Sequence, residues 1–306
     1  MAQSSNSLSI CTYNCRSIKS SIGEVSALCD YYDMILIQEH WLLPSELSLL
    51  SSIHRDFLAL GHSAVDISSD ILIGRPYGGT AILYRRSLSS YVVPVETSDA
   101  RLTAIIYQTS IGPILLVCIY MPTDYGDSVS LENYIETCAN ITALYDDCEA
   151  VHLVVAGDFN CRSGSRFHEV FLHFANDNNL CLSDLNRMAG VFTYCSDNAS
   201  SSSWIDHVLC SPSIDNLINW CDIRYEYVSS DHKPLVLSFT NLYRDAIPVI
   251  TYDHKEKRTV YDWSGADEHC ILMYCSELDE ALKTINIPVG SFDVNTFSDY
   301  DYGRMP

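Results

Sequence analysis

The chain has 306 residues, of which 47% are apolar and 19% are charged, and its mean hydropathy is +0.04. These values are typical of a globular protein and exclude a disordered or low-complexity chain. The 18 Lys and Arg residues against 39 Asp and Glu residues give a net charge of −21, which repels a polyanion at long range. This charge argues against a general nucleic-acid coat protein, but it allows an acidic pocket that meets a phosphate through a divalent cation.

Short β-type runs alternate with a few helical patterns from residue 8 to about residue 240. Apolar spacing predicts helices near residues 18–28, 131–145 and 166–178. The strands outnumber the helices, and several are apolar on nearly every residue, which indicates burial on both faces. We therefore predict an α/β fold, a layered sandwich of two β-sheets packed face to face and flanked by helices. In chain order, the predicted strands are LSICTY, DMILIQ, GTAILYRR, LTAIIYQ, GPILLVCIY, VHLVVAG, WIDHVLC and PLVLSF.

The composition changes after Phe239, which predicts two regions of the chain. We expect one domain over residues 1–240 and an acidic linker or tail over residues 241–306, where 6 basic and 12 acidic residues lie. Apolar spacing from Ile271 to Ile285 predicts one amphipathic helix there. No other core-forming segment is close to it in sequence, which is typical of a linker and leaves open whether the chain is a fragment.

Membrane and export signals are not evident in the sequence. The longest unbroken apolar stretch, Ile114–Met121, is far shorter than the ~20 residues that a membrane span needs. The first ten residues contain neither a basic nor an apolar signal region. The 13 cysteines lie singly, so we expect buried free thiols rather than disulfides or a zinc site. A nuclear or cytoplasmic protein that is not secreted is therefore the expectation.

Single polar residues stand at the ends of several apolar strands. Burying an unpaired polar group costs roughly 1–3 kcal/mol, so such strand ends favour a functional site at the sheet edge. Each residue also has an ordinary alternative, such as a turn or cap for Asn14, a solvated strand end for Glu39 and core packing for Tyr120. Their joint occurrence favours the site. The residues are Asn14, Glu39, Tyr120, Asp158, Asn160, Asp206, Asp231 and His232.

The motifs that contain these residues resemble a known superfamily. GDFN follows an apolar strand, and IDH and then SDHKPL come later in the chain. In this order they resemble the endonuclease/exonuclease/phosphatase superfamily of Mg²⁺-dependent phosphodiesterases, over roughly residues 8–240. TYNCRSI, QEHWL, GGTAILYRR, YMPTD and SWIDHVL look most like the endonuclease domain of non-LTR retrotransposons, which is related to abasic-site endonucleases. Trp204 stands where abasic-site enzymes often carry Arg, so abasic-site activity stays open.

Oxygen ligands of the kind that Mg²⁺ prefers are present among these residues. Glu39 is the best candidate for direct ligation, and Asn14 is a neutral neighbour of the metal or the phosphate. We expect Asp231 to support the metal, for which Mn²⁺ would be a substitute. The resemblance implies that Tyr120 and Thr193, which lies 13 residues before Asp206, donate hydroxyl hydrogen bonds to the phosphate.

The resemblance also implies roles in the reaction itself. Asp158 would orient or deprotonate the attacking water, and Asn160 would donate to the phosphate. His232 would donate to a non-bridging phosphoryl oxygen while Asp206 accepts from its other ring nitrogen. Which residue activates the water stays open.

The leading hypothesis is a DNA endonuclease that nicks one strand of a duplex and leaves a 3′-hydroxyl. The alternatives are a phosphatase or phosphodiesterase for a small or lipid-derived phosphate, and a non-catalytic degenerate module. The expected partners are duplex DNA and a reverse transcriptase domain in a longer parent protein, and we expect a monomer without membrane contact. Basic residues near the motifs form either a local positive rim or ordinary solvated surface. They are Arg16, Lys19, Arg85, Arg86, Arg162, Arg166 and Lys233.

Overall fold

The computed structural model describes most of the chain up to residue 242. The described residues are 7–66, 74–196, 198, 200–240, 242 and 273. The chain divides into two compact units, residues 1–247 and 248–306, and Met273 alone is described in the second unit. The predicted amphipathic helix and almost all of the predicted linker therefore lie outside the described residues. Among the described residues, no helix has the length and apolar character that crossing a membrane requires.

The strands of the described chain form two large sheets and one short hairpin. In chain order they are β1 (Ser7–Asn14), β2 (Met34–Gln38), β3 (Phe57–His62), β4 (Thr80–Arg85), β5 (Val92–Val95), β6 (Leu102–Thr109), β7 (Gly112–Tyr120), β8 (His152–Asp158), β9 (Cys181–Leu182), β10 (Tyr194–Cys195), β11 (Ser202–Ser203), β12 (Asp206–Cys210), β13 (Ile218–Ile223) and β14 (Leu235–Thr240). The α-helices are α1 (Ile18–Tyr31), α2 (Ser128–Asp147), α3 (Arg166–Asp177) and the single turn α4 (Pro212–Asp215). Two 3₁₀ helices cover Pro44–Ser52 and Arg86–Tyr91.

Each large sheet is mixed and contains six strands. The first has the order β13-β14-β1-β2-β4-β3 and the second the order β5-β6-β7-β8-β12-β9. The pairs β1–β2 and β7–β8 are parallel, whereas the other pairs are antiparallel. Helices flank both sheets, so the prediction of an α/β sandwich is confirmed.

The core has three layers, which explains the continuous apolar strands. In β7, Leu116 packs between the two sheets, while its neighbours Leu115 and Val117 pack on the other side, in a cluster with residues of α2 and α3. The outer face of the first sheet packs with α1 residues such as Val25 and Leu28. A strand that is buried on both faces has no solvated side for polar residues. In β1, β2 and β8 the amide and carboxylate side chains, Asn14, Gln38 and Asp158, stand at the last position of the strand.

The cysteines agree with the expectation of free thiols. All eleven described cysteines are free, and seven of them are buried. Cys11 and Cys15, the closest described pair in sequence, are both buried in the cluster beneath α1. Burial raises the pKa of both thiols, so neither is a thiolate at neutral pH.

Candidate active site

Polar strand ends from both sheets surround one open cavity of about 770 Å³, which we call the site cavity. The parallel pairing of β7 with β8 sets Tyr120 beside Asp158, and the antiparallel pairing of β8 with β12 sets Asp158 beside Asp206. Asn14 and Asp206 are buried behind the cavity. The predicted residues that line the cavity are Glu39, Tyr120, Asp158, Asn160, Asp231 and His232.

Asn14 connects the two sheets at this edge. Its Nδ2 donates to Glu39 Oε1 and to Asp158 Oδ2, both at 2.9 Å. The second Glu39 oxygen, Oε2, accepts from the Trp41 indole at 2.9 Å. The Tyr120 hydroxyl also donates to this carboxylate, which therefore accepts three hydrogen bonds of the about four that a carboxylate can take and keeps a lone pair for a ligand. Asn14 Oδ1 in turn accepts from the Arg16 backbone N–H at 3.2 Å, which orients the amide group. The Asn14 amide nitrogen thus lies between the Glu39 and Asp158 carboxylates and hydrogen-bonds to both.

His232 lies between two buried carboxylates. Its Nδ1 donates to Asp206 Oδ2 at 2.8 Å, and its Nε2 lies 3.8 Å from Asp158 Oδ2. Ser230 holds the backbone in place, since its hydroxyl accepts from His232 N at 3.1 Å and donates to Asn14 O at 2.8 Å. The other Asp206 oxygen, Oδ1, is buried and accepts no hydrogen bond from the described residues. This arrangement gives a carboxylate–imidazole–carboxylate series that ends at the cavity.

The electrostatics of this series favour a charged histidine. Burial lowers the pKa of His232, but the Asp206 and Asp158 carboxylates together have the larger, opposite effect, so that its pKa is raised to about 10. Burial also raises the pKa of Asp158, against the opposing effect of the His232 charge. At neutral pH the imidazole is therefore a donor on both nitrogens. Asp158 is a stronger base than an exposed carboxylate.

Asn160 and Tyr120 complete the cavity wall beside Asp158. The Asn160 backbone donates to Asp158 Oδ1 at 2.9 Å, and its Nδ2 donates to Met121 O at 2.8 Å. Burial and the nearby Glu39 and Asp158 carboxylates raise the pKa of Tyr120, which keeps its hydroxyl protonated as a donor. Both side chains can donate a hydrogen bond to an anion in the cavity.

Thr193 lies behind the cavity. Its side chain is fully buried, and its Oγ1 accepts from the backbone of Ile205 at 3.1 Å and of Asp206 at 3.0 Å. These bonds fix the start of β12 and thus the position of the Asp206 carboxylate. The predicted contact of Thr193 with phosphate stays a prediction.

Backbone strain is concentrated at the site. Of the six described non-glycine residues with positive φ, Asn179 alone lies elsewhere; the others line the cavity or adjoin it. Such conformations cost of order 1–3 kcal/mol each for ordinary side chains and persist where the surroundings demand them. The five residues are Arg16 (φ 45°), Ser17 (φ 93°), Glu39 (φ 53°), Trp41 (φ 55°) and Asn160 (φ 49°).

Part of the predicted basic rim lies at the cavity. Arg16 and Arg162 line it, and Arg16 Nη1 forms an ion pair with Asp231 Oδ2 at 3.3 Å. Arg166 pairs with Asp124 of the cavity wall. The remaining predicted basic residues do not line the site cavity: Lys19 pairs with Glu46, Arg85 with Asp33, Arg86 donates to Arg55 O and Lys233 donates to Tyr227 O.

Sequence reasoning missed several further cavity residues, among them Trp41 and Arg75. Trp41 donates to Glu39, and the Arg75 guanidinium lies 4.6 Å from the centre of the Trp41 ring. The QEHWL motif contained Trp41, and a tryptophan two residues after a strand-end carboxylate was a usable signal. Arg75 had no such signal, because its position over the ring depends on the path of a loop.

Solved structures show where this fold is found. The structure is similar to the AP endonuclease LMAP from Leishmania major, with a TM-score of 0.62 and 13% identity over 77% of this chain and 88% of that one. It is similar to the 3′ phosphatase NExo from Neisseria bound to product DNA hairpin, at 0.60 and 18% over 76% and 99%. The endonuclease domain of TRAS1, a telomere-specific non-LTR retrotransposon, matches at 0.57 and 15% over 78% and 100%. A comparison with curated proteins finds no match.

The sequence adds family membership to this likeness of fold. Residues 11–232 match the Endonuclease/Exonuclease/phosphatase family, and this range contains every strand-end residue from Asn14 to His232. The chain therefore belongs to the Endonuclease/Exonuclease/phosphatase family. The predicted resemblance is confirmed, with AP endonucleases and a retrotransposon endonuclease domain among the structural neighbours.

Proposed function

We propose that this protein is a divalent-metal-dependent DNA endonuclease that hydrolyses one strand of a duplex and leaves a 3′-hydroxyl. The observation that carries the proposal is the buried Asp158–His232–Asp206 series beside the Glu39 carboxylate at one open cavity. Hydrolysis of a phosphodiester needs an activated water, charge neutralisation at the phosphoryl oxygens and help for the leaving oxygen. The water's oxygen forms the new bond to phosphorus as the bond from phosphorus to the 3′-oxygen breaks. The cavity residues offer groups for the first two tasks, and a bound divalent cation would stabilise the leaving 3′-oxygen, which takes its proton from solvent.

The proposed roles follow from the donors and acceptors. His232, charged and supported by Asp206, donates from Nε2 to a phosphoryl oxygen. Asp158, made more basic by burial, orients the attacking water and accepts its proton. Asn160 and Tyr120 donate to the remaining phosphate oxygens. The assignment of the water's proton to Asp158 rather than to His232 is part of the proposal.

The residues fit a hard divalent cation. Asp158, Asp206 and His232 each offer a ligand-type atom, and these atoms lie within 4.8 Å of one another. The His232 nitrogens act as donors, however, so His232 offers no lone pair to a metal. Glu39, whose carboxylate keeps acceptor capacity beside its hydrogen bonds, would hold the ion at the cavity wall, which Asp231 also lines. Bound Mg²⁺ or Mn²⁺ would neutralise charge on the phosphoryl and leaving oxygens.

Nicking of supercoiled plasmid tests the proposal. The purified chain with Mg²⁺ should convert supercoiled DNA to the open circle, and EDTA should prevent this. Asp158→Asn and His232→Ala should each lower the rate by at least about 100-fold. The exposed residues Asp222 and His173 offer matched controls, because Asp222→Asn and His173→Ala remove the same functional groups away from the cavity. No nicking, or nicking that survives both cavity variants, contradicts the proposal.

A phosphatase or small-molecule phosphodiesterase is the second candidate. The 3′ phosphatase among the structural neighbours and the net charge of −21 favour it. Turnover of a soluble phosphoester together with intact plasmid would support this function over the first. If neither substrate reacts and Mg²⁺ does not raise the melting temperature, the chain is a non-catalytic module, because a ligand that binds only the folded form must stabilise it.

The proposed biological context is that of a retrotransposon. The resemblance of the motifs and the retrotransposon domain among the neighbours support it. In this context a reverse transcriptase in the same parent protein would extend the 3′-hydroxyl. Primer extension from the nicked plasmid by an added reverse transcriptase tests whether the product end is a free 3′-hydroxyl. A product that needs phosphatase treatment before extension contradicts this part of the proposal.

A further inference from the structure

A second cleft of about 670 Å³, which we call the side cleft, adjoins the site cavity. The two share a wall formed by Glu39, Tyr120, Thr123 and Tyr125. A molecule in the side cleft therefore lies directly beside the proposed reaction centre. Apart from this wall, no residue of the side cleft has a role in the chemistry proposed above.

The shared wall presents an exposed aromatic ring. Tyr125 is 78% exposed. The loop is anchored on both sides of it, because Asp124 pairs with Arg166 and Asp127 accepts from Ser130 N at 2.8 Å at the start of α2. The backbone on either side of Tyr125 is therefore tied to neighbouring residues, while the ring itself is exposed. A ligand that covered it would remove apolar surface from water without first ordering the loop.

The side cleft is also lined by a second tyrosine. Tyr77 is 54% exposed and is followed by Gly78 and Gly79. At Gly79 (φ +85°) a Cβ atom would lie 2.4 Å from the His40 ring, so the backbone here passes directly against a buried side chain. This close packing fixes the segment that carries Tyr77.

One arginine and two acidic residues also line the side cleft. Arg101 donates to Tyr120 O at 3.3 Å, and its guanidinium lies 5.9 Å from the centre of the Tyr120 ring. The acidic residues are already engaged: Asp99 accepts from Arg101 N at 2.9 Å, and Asp127 caps α2. The charges of the cleft therefore do not attract a polyanion strongly. Its capacity for binding lies in the two exposed rings.

Aromatic rings of this kind bind nucleobases by stacking, at ~1–3 kcal/mol per base and with little dependence on the identity of the base. A base inside a duplex is already stacked on both faces, so an unpaired base alone gains from such a ring. We propose that the side cleft binds an unpaired nucleotide next to the scissile phosphate, with its base stacked on Tyr125. This inference rests on the proposed nuclease function and narrows its substrate to DNA with an unpaired segment beside the cut.

Binding of two labelled oligonucleotides tests the inference. One is a perfect duplex and the other has the same sequence with a short internal bubble, and fluorescence anisotropy in EDTA measures both affinities without cleavage. The bubble should bind about tenfold more tightly. Tyr125→Ala should remove this preference, and Tyr125→Phe should retain it. Tyr31→Ala is the matched control, because Tyr31 is 66% exposed on α1 and lines neither the site cavity nor the side cleft.

The outcomes separate this inference from the proposed function. Equal affinity for the two oligonucleotides, or an equal loss for both in Tyr125→Ala, overturns the side-cleft inference even if the plasmid is nicked. A Tyr125-dependent preference for the bubble without any cleavage supports the side cleft and contradicts the nuclease. Nicking assays on the same pair in Mg²⁺ should show the same tenfold preference, with the same dependence on Tyr125.

Discussion

His232 is the residue on which the proposed chemistry depends most directly. Its ring donates to Asp206 on one side and lies near Asp158 on the other, and the two carboxylates together raise its pKa against the effect of burial. An imidazole in this position differs from a solvated histidine in both orientation and charge. The Asp206 carboxylate supplies both properties, although Asp206 itself is buried behind the cavity.

Substitution Asp206→Asn should therefore lower activity without removing any group that lines the cavity. Without the carboxylate charge, the pKa of His232 falls, and the amide can present an N–H as well as an oxygen to the ring, so the tautomer is no longer fixed. We expect the nicking rate to fall by about 100-fold or more. The loss of activity at high pH should also begin at lower pH than in the wild type. The pH profile of nicking measures both effects.

The pH profile also distinguishes positioning from general destabilisation. Asp222→Asn removes a carboxylate that is 58% exposed and should leave the profile unchanged. If Asp206→Asn lowers the rate equally at every pH, His232 is not the charged hydrogen-bond donor that the proposal requires.

At the scale of single elements, the parallel pair β7–β8 carries two of the proposed groups, Tyr120 and Asp158, side by side. Gly157 precedes Asp158, has φ +153°, and pairs with Ile119 in the register. A Cβ atom at Gly157 would lie 2.0 Å from the Ile119 carbonyl oxygen. The two strands can approach as they do because this residue has no side chain.

Gly157→Ala should therefore be strongly destabilising. The clash is with backbone, so it can be relieved only by separating β7 from β8, and we expect a loss of about 3 kcal/mol in the free energy of unfolding. Urea denaturation measures the change. Gly23→Ala is the control, since nothing lies within 4 Å of a Cβ atom there, and it should stabilise α1 by about 0.5–1 kcal/mol. Equal stability of the two variants would show that the strand spacing is not set at Gly157.

A second element, β12, is held by a buried ion pair on the face opposite the site. His207 Nδ1 donates to Asp184 Oδ2 at 2.8 Å, while Asp184 Oδ1 accepts from Val208 N at 3.0 Å. Burial lowers the pKa of His207, but the Asp184 carboxylate has the larger, opposite effect, so that its pKa is raised to about 10. Among the described residues, Cys161 and His168 are titratable groups that face His207, and Cys210 and Cys221 are titratable groups near Asp184.

The ion pair should make stability depend on pH. The folded pKa of His207 is above its unfolded value near 6.5, so its contribution is complete below about pH 6.5 and is lost as the pH rises through about 10. We expect the free energy of unfolding to fall over this window. In His207→Ala this fall should be smaller. The variant should also be destabilised by about 3–5 kcal/mol, because Asp184 is left as an unpaired buried charge.

Urea denaturation at several pH values measures both effects. The double variant Asp184→Asn with His207→Gln is the control, since it removes both charges and keeps a donor and an acceptor at the two positions. It should recover part of the stability and show the same flattened dependence on pH. A pH dependence that is unchanged in His207→Ala would contradict the assignment.

At the scale of the whole molecule, the net charge of −21 has to be reconciled with a polyanionic substrate. Three arginines line the site cavity, namely Arg16, Arg75 and Arg162. For duplex DNA, the slope of log affinity against log salt concentration is about −0.9 for each phosphate contact. Three arginines therefore predict a shallow salt dependence. The protein would then recognise DNA by a local contact rather than by its overall field.

Equilibrium binding to a duplex oligonucleotide in EDTA at several salt concentrations tests this. The slope of log affinity against log salt should be about −3, and Arg162→Ala should reduce its magnitude by about 0.9. Arg86→Ala, at the outer 3₁₀ helix, should leave the slope unchanged. A slope of about −6 or steeper would indicate that DNA contacts an additional basic surface.

The strands that the sequence predicted and those that it missed differ in their place in the sheets. The predicted runs correspond to interior strands such as β1, β7 and β8, which are apolar because both faces are buried. Three missed strands, β3, β5 and β13, are edge strands with partly exposed residues. Local hydrophobicity reflects burial, and edge strands form because a neighbour offers unpaired backbone groups.

The same division applies to the site. Residue order by itself determined the family, the layered fold and the set of polar strand ends, because an amide or carboxylate that ends a buried, apolar strand stands out in the sequence. The tertiary structure alone decided which of these residues touch. Asn14, for example, hydrogen-bonds both to Glu39 and to Asp158, which lies 144 residues after Asn14 in the chain. It also decided that Trp41 and Arg75 belong to the cavity and that Tyr125 stands between two clefts. Hydrogen bonds and ring contacts depend on distances of a few ångströms, which are set by the packing of segments far apart in sequence.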